Sequence, residues 1–277
     1  MRVGDLDRDM RDVIPTALGR DTEYLFARMT ARTLALAGAA PARRVLDVAS
    51  GLAQDARALA GRGALAVAAE PSARMTALAR QLGRAHEDRG ACLLRAWGDA
   101  LPFADASFDA VICKGAIDHF EAPARAIAEM ARVTKRGGRV VLAIANFESL
   151  SCRAARRLDG VREGRFGRAL PRGRRHYDVP HDHFTRYDLE LMCAQASASL
   201  ELTRIEGISL GWGMPAWSRV LERVPRTAAR ATLAALDATA RRLPSLADVV
   251  LLIGQPRASA STSAYTLAVR AAICGQP

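Results

Sequence analysis

The stretch Val45-Leu46-Asp47-Val48-Ala49-Ser50-Gly51-Leu52-Ala53 has the residue types and spacing of a nucleotide-binding turn. Strand formers carry an acid, Asp47. Small residues follow at alternate positions, Ala49, Gly51 and Ala53, ahead of a helix-like run, Gln54 to Ala60. Small side chains let a ligand approach the backbone, and a helix start offers unpaired N–H groups. A buried strand entering a helix through an ordinary loop reads the same way. Two further acids bear on the choice. Glu70 lies nineteen positions after Gly51 and ends the apolar run Ala64 to Ala69. There a carboxylate can accept hydrogen bonds from both hydroxyls of a ribose; the alternative is a surface Glu capping a helix over 72–82. Asp99 follows the strand-like run 92–97. A carboxylate at that place can accept from an adenine amino group, with Pro102 and Phe103 walling the site.

The elements that must hold these residues alternate between strand and helix. A helix from about Asp21 to Leu36, with Asp21 as its cap, precedes the first strand. After the turn come the run at 64–69, read as a buried parallel strand, the helix at 72–82, the strand at 92–97 and another at 107–113. A helix over 186–198 follows, capped by Thr185. Then come a strand at 200–206, helices at about 217–224 and 226–243, and a buried strand at 247–254. The pattern is α/β.

Composition limits the function classes. Half of the 277 residues are apolar and a quarter are charged, which suits a globular protein with a sizeable core. The net charge of +11 comes mostly from Arg, which fits either a polyanionic partner or a surface that defaults to Arg. The five cysteines are dispersed, without a C-x-x-C pair, and imply a reducing cytoplasm. The first residues are charged and lack an apolar signal core. The longest apolar runs fall short of the ~20 residues that span a bilayer.

Asp47-x-Ala49-x-Gly51-x-Ala53, Glu70, Asp99-Ala100-Leu101-Pro102-Phe103 and Phe108-Asp109-Ala110-Val111, in that order and spacing, resemble the class I S-adenosylmethionine-dependent methyltransferases. The run from Glu129 to Leu142, with Gly137-Gly138 at its centre, resembles that family's helix, tight turn and fifth strand. The resemblance covers roughly Arg43 to Asn146 and is nearest to the small-molecule branch that includes the ubiquinone and menaquinone methyltransferases. It implies a doubly wound, mostly parallel seven-stranded sheet of Rossmann-like type with a lid insert. One domain then fills 1–277: a cofactor-binding half at 22–148, a lid insert and helix at 151–195, the rest of the sheet at 196–257 and a tail at 258–277.

The same resemblance assigns roles. The turn Ala49, Ser50 and Gly51 holds the methionine part of S-adenosyl-L-methionine, and Asp47 orients its amino group. Glu70 and Pro71 meet the ribose. Asp99 takes the adenine, with Ala100 and Leu101 beside the ring, and Lys114 lies where cofactor faces acceptor. Tyr24 covers the cofactor or is a core aromatic. Apart from the resemblance, the apolar, aromatic residues 211–217, Trp212 among them, read as a loop suited to line the acceptor pocket. The chain departs from the family in having Ala at 49 and 53 where Gly is usual, and Arg136 for a usual Pro. Ala53 then serves only helix packing, whereas Ala49 is strained by roughly 1 kcal/mol if its φ is positive.

Methyl transfer from a sulfonium is an in-line displacement, so the protein mainly positions and desolvates the nucleophile. A base is needed only for an acceptor that carries a proton, and His119 is the candidate, with a structural role as the alternative. From Ser151 to Thr185 nine Arg stand against four acids. This insert suits an anionic acceptor such as a phosphate or carboxylate, or is a solvated lid face. His181 and His183 read as lid residues or acceptor contacts. With Asp182 they suggest a metal site, but no fourth ligand stands at suitable spacing, so no metal is expected.

The expected function is methyl transfer from S-adenosylmethionine to the O, N or C atom of a small molecule, in the cytoplasm. Two alternatives stay open. An RNA or DNA methyltransferase would use the Arg-rich insert on phosphates, although no base-amine motif of the Asn/Asp-Pro-Pro-Tyr type occurs. A non-catalytic protein of methyltransferase fold is the other.

Overall fold

A computed structural model describes residues 19–85, 90–167, 177–178, 184–214 and 216–257. Its strands are β1 (Arg44–Val48), β2 (Leu65–Ala69), β3 (Ala91–Leu94), β4 (Phe108–Lys114), β5 (Thr134–Ala145), β6 (Leu200–Ile208) and β7 (Val249–Pro256). They form one seven-stranded sheet in the order β3-β2-β1-β4-β5-β7-β6. β1 to β5 pair in parallel, and β7 runs antiparallel to both of its neighbours.

The helices are α1 (Arg20–Ala37), α2 (Gln54–Ala60), α3 (Ala73–Ala85), α4 (Pro123–Val133), α5 (Leu150–Phe166), α6 (Leu189–Ser197), α7 (Trp217–Arg223) and α8 (Arg226–Arg242). Alternation along the strands divides the core between two faces of the sheet. On one face Leu46, Val48 and Val111 pack with Ile127 and Met130 of α4 and Met192 of α6. On the other, Val45, Ala66 and Ile112 pack with Leu25 and Met29 of α1 and Leu59 of α2. With both faces covered, the strands read as apolar runs, and the fold is the doubly wound one that the resemblance implied. The chain moves outward from β1 to β2 and β3, then returns to the other side of β1 with β4. That reversal opens a crevice at the carboxyl ends of β1 and β4, the usual ligand position in such sheets.

Several local expectations change. Gly19, not Asp21, is the N-cap of α1, and Asp21 lies in its first turn. β3 stops at Leu94, short of Trp97. The Gly137-Gly138 turn lies inside β5 as a bulge: pairing jumps from Phe108↔Thr134 to Ala110↔Arg139, and Gly137 has φ 75°. A Cβ on Gly138 would stand 2.8 Å from Thr134 Cγ2 and 2.9 Å from the Asp109 carbonyl, so only Gly fits there. Asp188 caps α6, its Oδ1 accepting the Leu191 N–H at 2.8 Å. Thr185 does not cap it; its N–H goes to the Asp118 carbonyl at 3.3 Å. The tail at 258–277 lies outside the described residues.

Candidate functional site

The turn after β1 reverses direction through three left-handed residues, Ala49 (φ 54°), Gly51 (φ 54°) and Ala53 (φ 57°). Both alanines therefore occupy conformations that favour glycine. Ala53 is more than a packing residue, because it is the left-handed N-cap of α2. The turn is held from outside. The Ser50 N–H donates to the Ala69 carbonyl at 3.2 Å, and Arg57 donates to the Leu52 carbonyl at 2.6 Å.

Glu70, one residue past β2, spans this turn and the start of α3. Its Oε2 accepts the Gly51 N–H at 2.8 Å and its Oε1 accepts the Ser72 N–H at 3.0 Å. Glu70 is buried rather than at the surface; it serves the helix start through Ser72 and also lines the cleft. Each oxygen keeps acceptor capacity beyond the bond it makes. Burial raises its pKa, opposed by the two backbone hydrogen bonds.

Asp47, buried at the end of β1, accepts the Ala56 backbone N–H. Burial pushes its carboxyl well above the usual range, and the negative Asp55 beside it adds to the lift. Lys114, at the end of β4, opposes that lift. It does so as part of a fixed cluster. Its Nζ lies 2.7 Å from Asp55 Oδ2 and 2.7 Å from Thr30 Oγ1. Lys114 lines the cleft, with its ammonium tied to Asp55 of α2 and Thr30 of α1. Asp55 lines the cleft although its sequence position gives no sign of it. An acid in the first turn of a helix ordinarily answers the helix dipole, and its lysine is 59 residues away.

The cleft that these groups line has a volume of about 480 Å³. Ala49, Ser50, Gly51, Pro71, Asp99 and His119 also line it. Ser50 Oγ is buried without a hydrogen-bond partner. Asp99 stands in a tight turn closed by the Trp97↔Ala100 bridge. A Cβ on Gly98 would stand 2.9 Å from the Phe120 ring and 3.1 Å from Val48, so the missing side chain lets Phe120 close one wall. Phe184 reaches the mouth of the cleft and is 52% exposed. Its N–H donates to the Asp118 carbonyl at 2.8 Å.

Other expected residues lie elsewhere. The Leu101 side chain is in the core and Ala100 is exposed; neither lines the cleft. Tyr24 packs with Leu221, Ala229 and Leu233 against α7 and α8, away from the cleft, which makes it the packing aromatic of its two readings. Trp212 also lies outside the cleft. Its backbone N–H donates to Asp248 at 2.9 Å and its indole N–H to Thr22 at 3.1 Å, so it docks the loop after β6 on α1. His181 and His183 lie outside the described residues, as does most of the insert beyond α5. Among the described residues no group of three His, Cys, Asp or Glu is placed to hold a metal ion. No described helix is long and apolar enough to cross a membrane.

Residues 46–142, from β1 into β5, match the protein family described as a methyltransferase domain. This segment is similar to that family. A demethylmenaquinone methyltransferase of Corynebacterium urealyticum is 38% identical over 138 residues, 50% of this chain and 55% of that protein. One from a Parafrankia species is 38% identical over 151 residues, 49% of this chain and 58% of that protein. The chain thus spans about half the length of the curated relatives it matches. The whole sheet, the matched segment included, is similar to the magnesium protoporphyrin IX methyltransferase of Synechocystis, solved with bound SAH. That likeness has a TM-score of 0.58 at 14% identity and covers 90% of this chain and 92% of that one. The [4+2]-cyclase SpnF is equally similar, with a TM-score of 0.57 at 17% identity over 87% of this chain and 85% of that one. At these identities the likeness is one of fold alone.

Proposed function

We propose that the protein transfers a methyl group from S-adenosylmethionine to a neutral small-molecule acceptor. The observation that carries this reading is Glu70: a buried carboxylate that closes the Ala49–Ala53 turn and still offers acceptor capacity to the cleft. The residues present suit the cofactor. Asp47 provides a buried negative partner for an ammonium, Glu70 an acceptor for two ribose hydroxyls and Asp99 an acceptor for an amino group. The orphaned Ser50 hydroxyl, buried on the cleft wall, gains a partner from a polar ligand.

The cofactor, when bound, supplies an activated methyl group and a neutral leaving thioether. The chain's own work is then to hold the acceptor in line and keep water away. Phe120 and Phe184 supply apolar walls at the acceptor end. His119, on the 3-10 turn at 117–119, is the residue we assign to take a proton from a hydroxyl acceptor.

The acceptor is neutral on this reading because the charged groups that line the described cleft are mostly acids: Asp47, Asp55, Glu70, Asp99 and Glu121 against Lys114. Two described arginines of the insert, with Arg186 just after it, support the same view. Arg156 and Arg186 converge on Glu148, Arg186 at 2.7 Å, and Arg153 stands 3.8 Å from it. The relatives named demethylmenaquinone methyltransferases favour a quinol acceptor. The fold shared with a cyclase shows why turnover must be measured. The test is methyl transfer from labelled S-adenosylmethionine to reduced demethylmenaquinone, with wild type and His119→Ala. Labelled quinol from wild type, and at least a tenfold slower turnover in the variant, is expected. Absence of labelled quinol would refute the quinol acceptor, and an unchanged rate in the variant would refute the base.

A further inference from the structure

Asp99 lines the cleft from a loop that contains no helix or long strand of its own. What holds that loop is α4. Arg132 donates to three of its acceptors: the Leu101 carbonyl at 3.0 Å, the Phe103 carbonyl at 2.8 Å and Asp105 Oδ1 at 2.7 Å. Glu129, one helical turn earlier, accepts the Leu101 N–H at 2.9 Å. The two side chains are locked to each other, Arg132 Nε to Glu129 Oε1 at 2.7 Å and Nη2 to Oε2 at 2.8 Å. The end of α4 adds backbone bonds, from the Ala106 N–H to the Arg132 carbonyl at 3.0 Å and from Ser107 to Val133 at 2.8 Å.

Most of these bonds go to backbone atoms, so they fix the path of the chain whatever side chains it carries. Leu101 is buried and anchors the loop in depth. At its other end the Ala96 N–H donates to the Glu70 carbonyl at 3.3 Å. Between these two ends the turn that carries Asp99 can still rotate about Leu101, and that rotation is what swings Asp99, two residues away. Gripping the Leu101 N–H and carbonyl together removes that rotation. The guanidinium is planar and presents several donors in a fixed fork, so it can hold two carbonyls and two carboxylates at once, which an ammonium cannot do. The pairing also keeps Glu129 ionised: the Arg132 hydrogen bond leads the causes that lower its pKa.

We propose that Glu129 and Arg132 are positioning residues for purine recognition, holding the Trp97–Phe103 segment so that Asp99 is aimed at the 6-amino group of the cofactor's adenine. This rests on the cofactor reading given above. A carboxylate accepts from a 6-amino group and opposes a 6-oxo group, so a correctly held Asp99 rejects hypoxanthine. A loosened one does not. A mere staple between helix and loop would affect both bases alike.

The readout is therefore a ratio. S-adenosylhomocysteine and S-inosylhomocysteine are titrated by calorimetry into wild type, Asp99→Asn, Glu129→Gln and Arg132→Lys, each checked for folding by circular dichroism. Wild type should prefer the adenosyl compound by about 30-fold or more, in line with the penalty for mismatching a dedicated polar group. Asp99→Asn, which can donate to a 6-oxo group, should abolish or invert the preference. Glu129→Gln and Arg132→Lys should weaken the adenosyl compound about tenfold and change the inosyl compound little, so that the ratio falls to a few-fold. Two variants on opposite sides of the pair keep the test available if one fails to fold. A ratio that collapses in Asp99→Asn but stays at the wild-type value in both α4 variants overturns the proposal and leaves the cofactor reading standing. Wild type that binds neither compound removes the cofactor reading, and the proposal with it.

Discussion

At the scale of single residues, Ala49 and Ala53 are two places in the cleft turn where the chain chose a methyl group over backbone ease. Their φ values of 54° and 57° are left-handed, where an L side chain costs roughly 1–2 kcal/mol against its ordinary conformation. Part of that returns as lower entropy in the unfolded chain. Ala49→Gly and Ala53→Gly should therefore each stabilise the protein by up to about 1 kcal/mol in urea unfolding, the gain falling short of the full strain by that entropy. Loss of stability in both variants would contradict the strain. The departure at Ala49 was legible in the sequence, together with its consequence should φ prove positive. That Ala53 shares the conformation was not, because a small residue at a helix start serves packing equally well.

At the scale of elements, two buried clusters join pieces far apart in the chain. Asp55 of α2, Lys114 of β4 and Thr30 of α1 meet at the cleft wall beside Asp47. Replacing one member strands a charge in a poor medium. Lys114→Met should destabilise the protein by roughly 3 kcal/mol, and the double variant Asp55→Leu, Lys114→Met should recover most of that in urea unfolding. A double variant that shows the two single costs added together would mean the pair is not coupled.

The second cluster surrounds Asp248, just before β7. It accepts from Ser151 of α5 at 2.6 Å and from the Trp212 N–H at 2.9 Å. Burial raises its pKa to about 6, against the hydrogen bonds that lower it. The folded state thus favours the protonated form. The stability this brings is present in full below pH 3.8 and is lost as pH rises towards 6. In melting curves from pH 4 to 8, Asp248→Asn should gain on wild type between pH 4 and 6 and then keep a constant difference. A difference that stays constant through that window would contradict the assignment. Neither cluster could be read from local spacing. Trp212 illustrates the point: its loop is apolar and aromatic, as an acceptor wall would be, and only the positions of Thr22 and Asp248 show that it docks on α1.

At the scale of the whole molecule, the legible part is the strand-turn-helix alternation and its acids. α2 and β2 fall where the small-residue turn and the apolar run put them, and Asp47, Glu70 and Asp99 all reach one cleft. Local chemistry determines such features: periodicity, turn-forming residues and strand burial. Tyr24 was ambiguous because α1 has two partly apolar sides, and the helices that claim one of them, α7 and α8, come some two hundred residues later. The cap of α6 moved from Thr185 to Asp188 because the helix starts only at Leu189, where the Asp188 carboxylate reaches the Leu191 N–H, while Thr185 is held further back by the Asp118 carbonyl, a tertiary contact that no capping pattern records.

The central claim is that this cleft binds the cofactor through Glu70. Calorimetric titration with S-adenosylhomocysteine, which is uncharged at sulfur and cannot react, tests it without knowledge of the acceptor. Wild type should saturate with one equivalent per chain, and Glu70→Ala, still folded by circular dichroism, should bind at least about 100-fold more weakly, as expected when a charged hydrogen-bond acceptor for two hydroxyls is removed. Wild type that takes up no ligand at millimolar concentration, or a folded Glu70→Ala that binds as wild type does, would contradict the account.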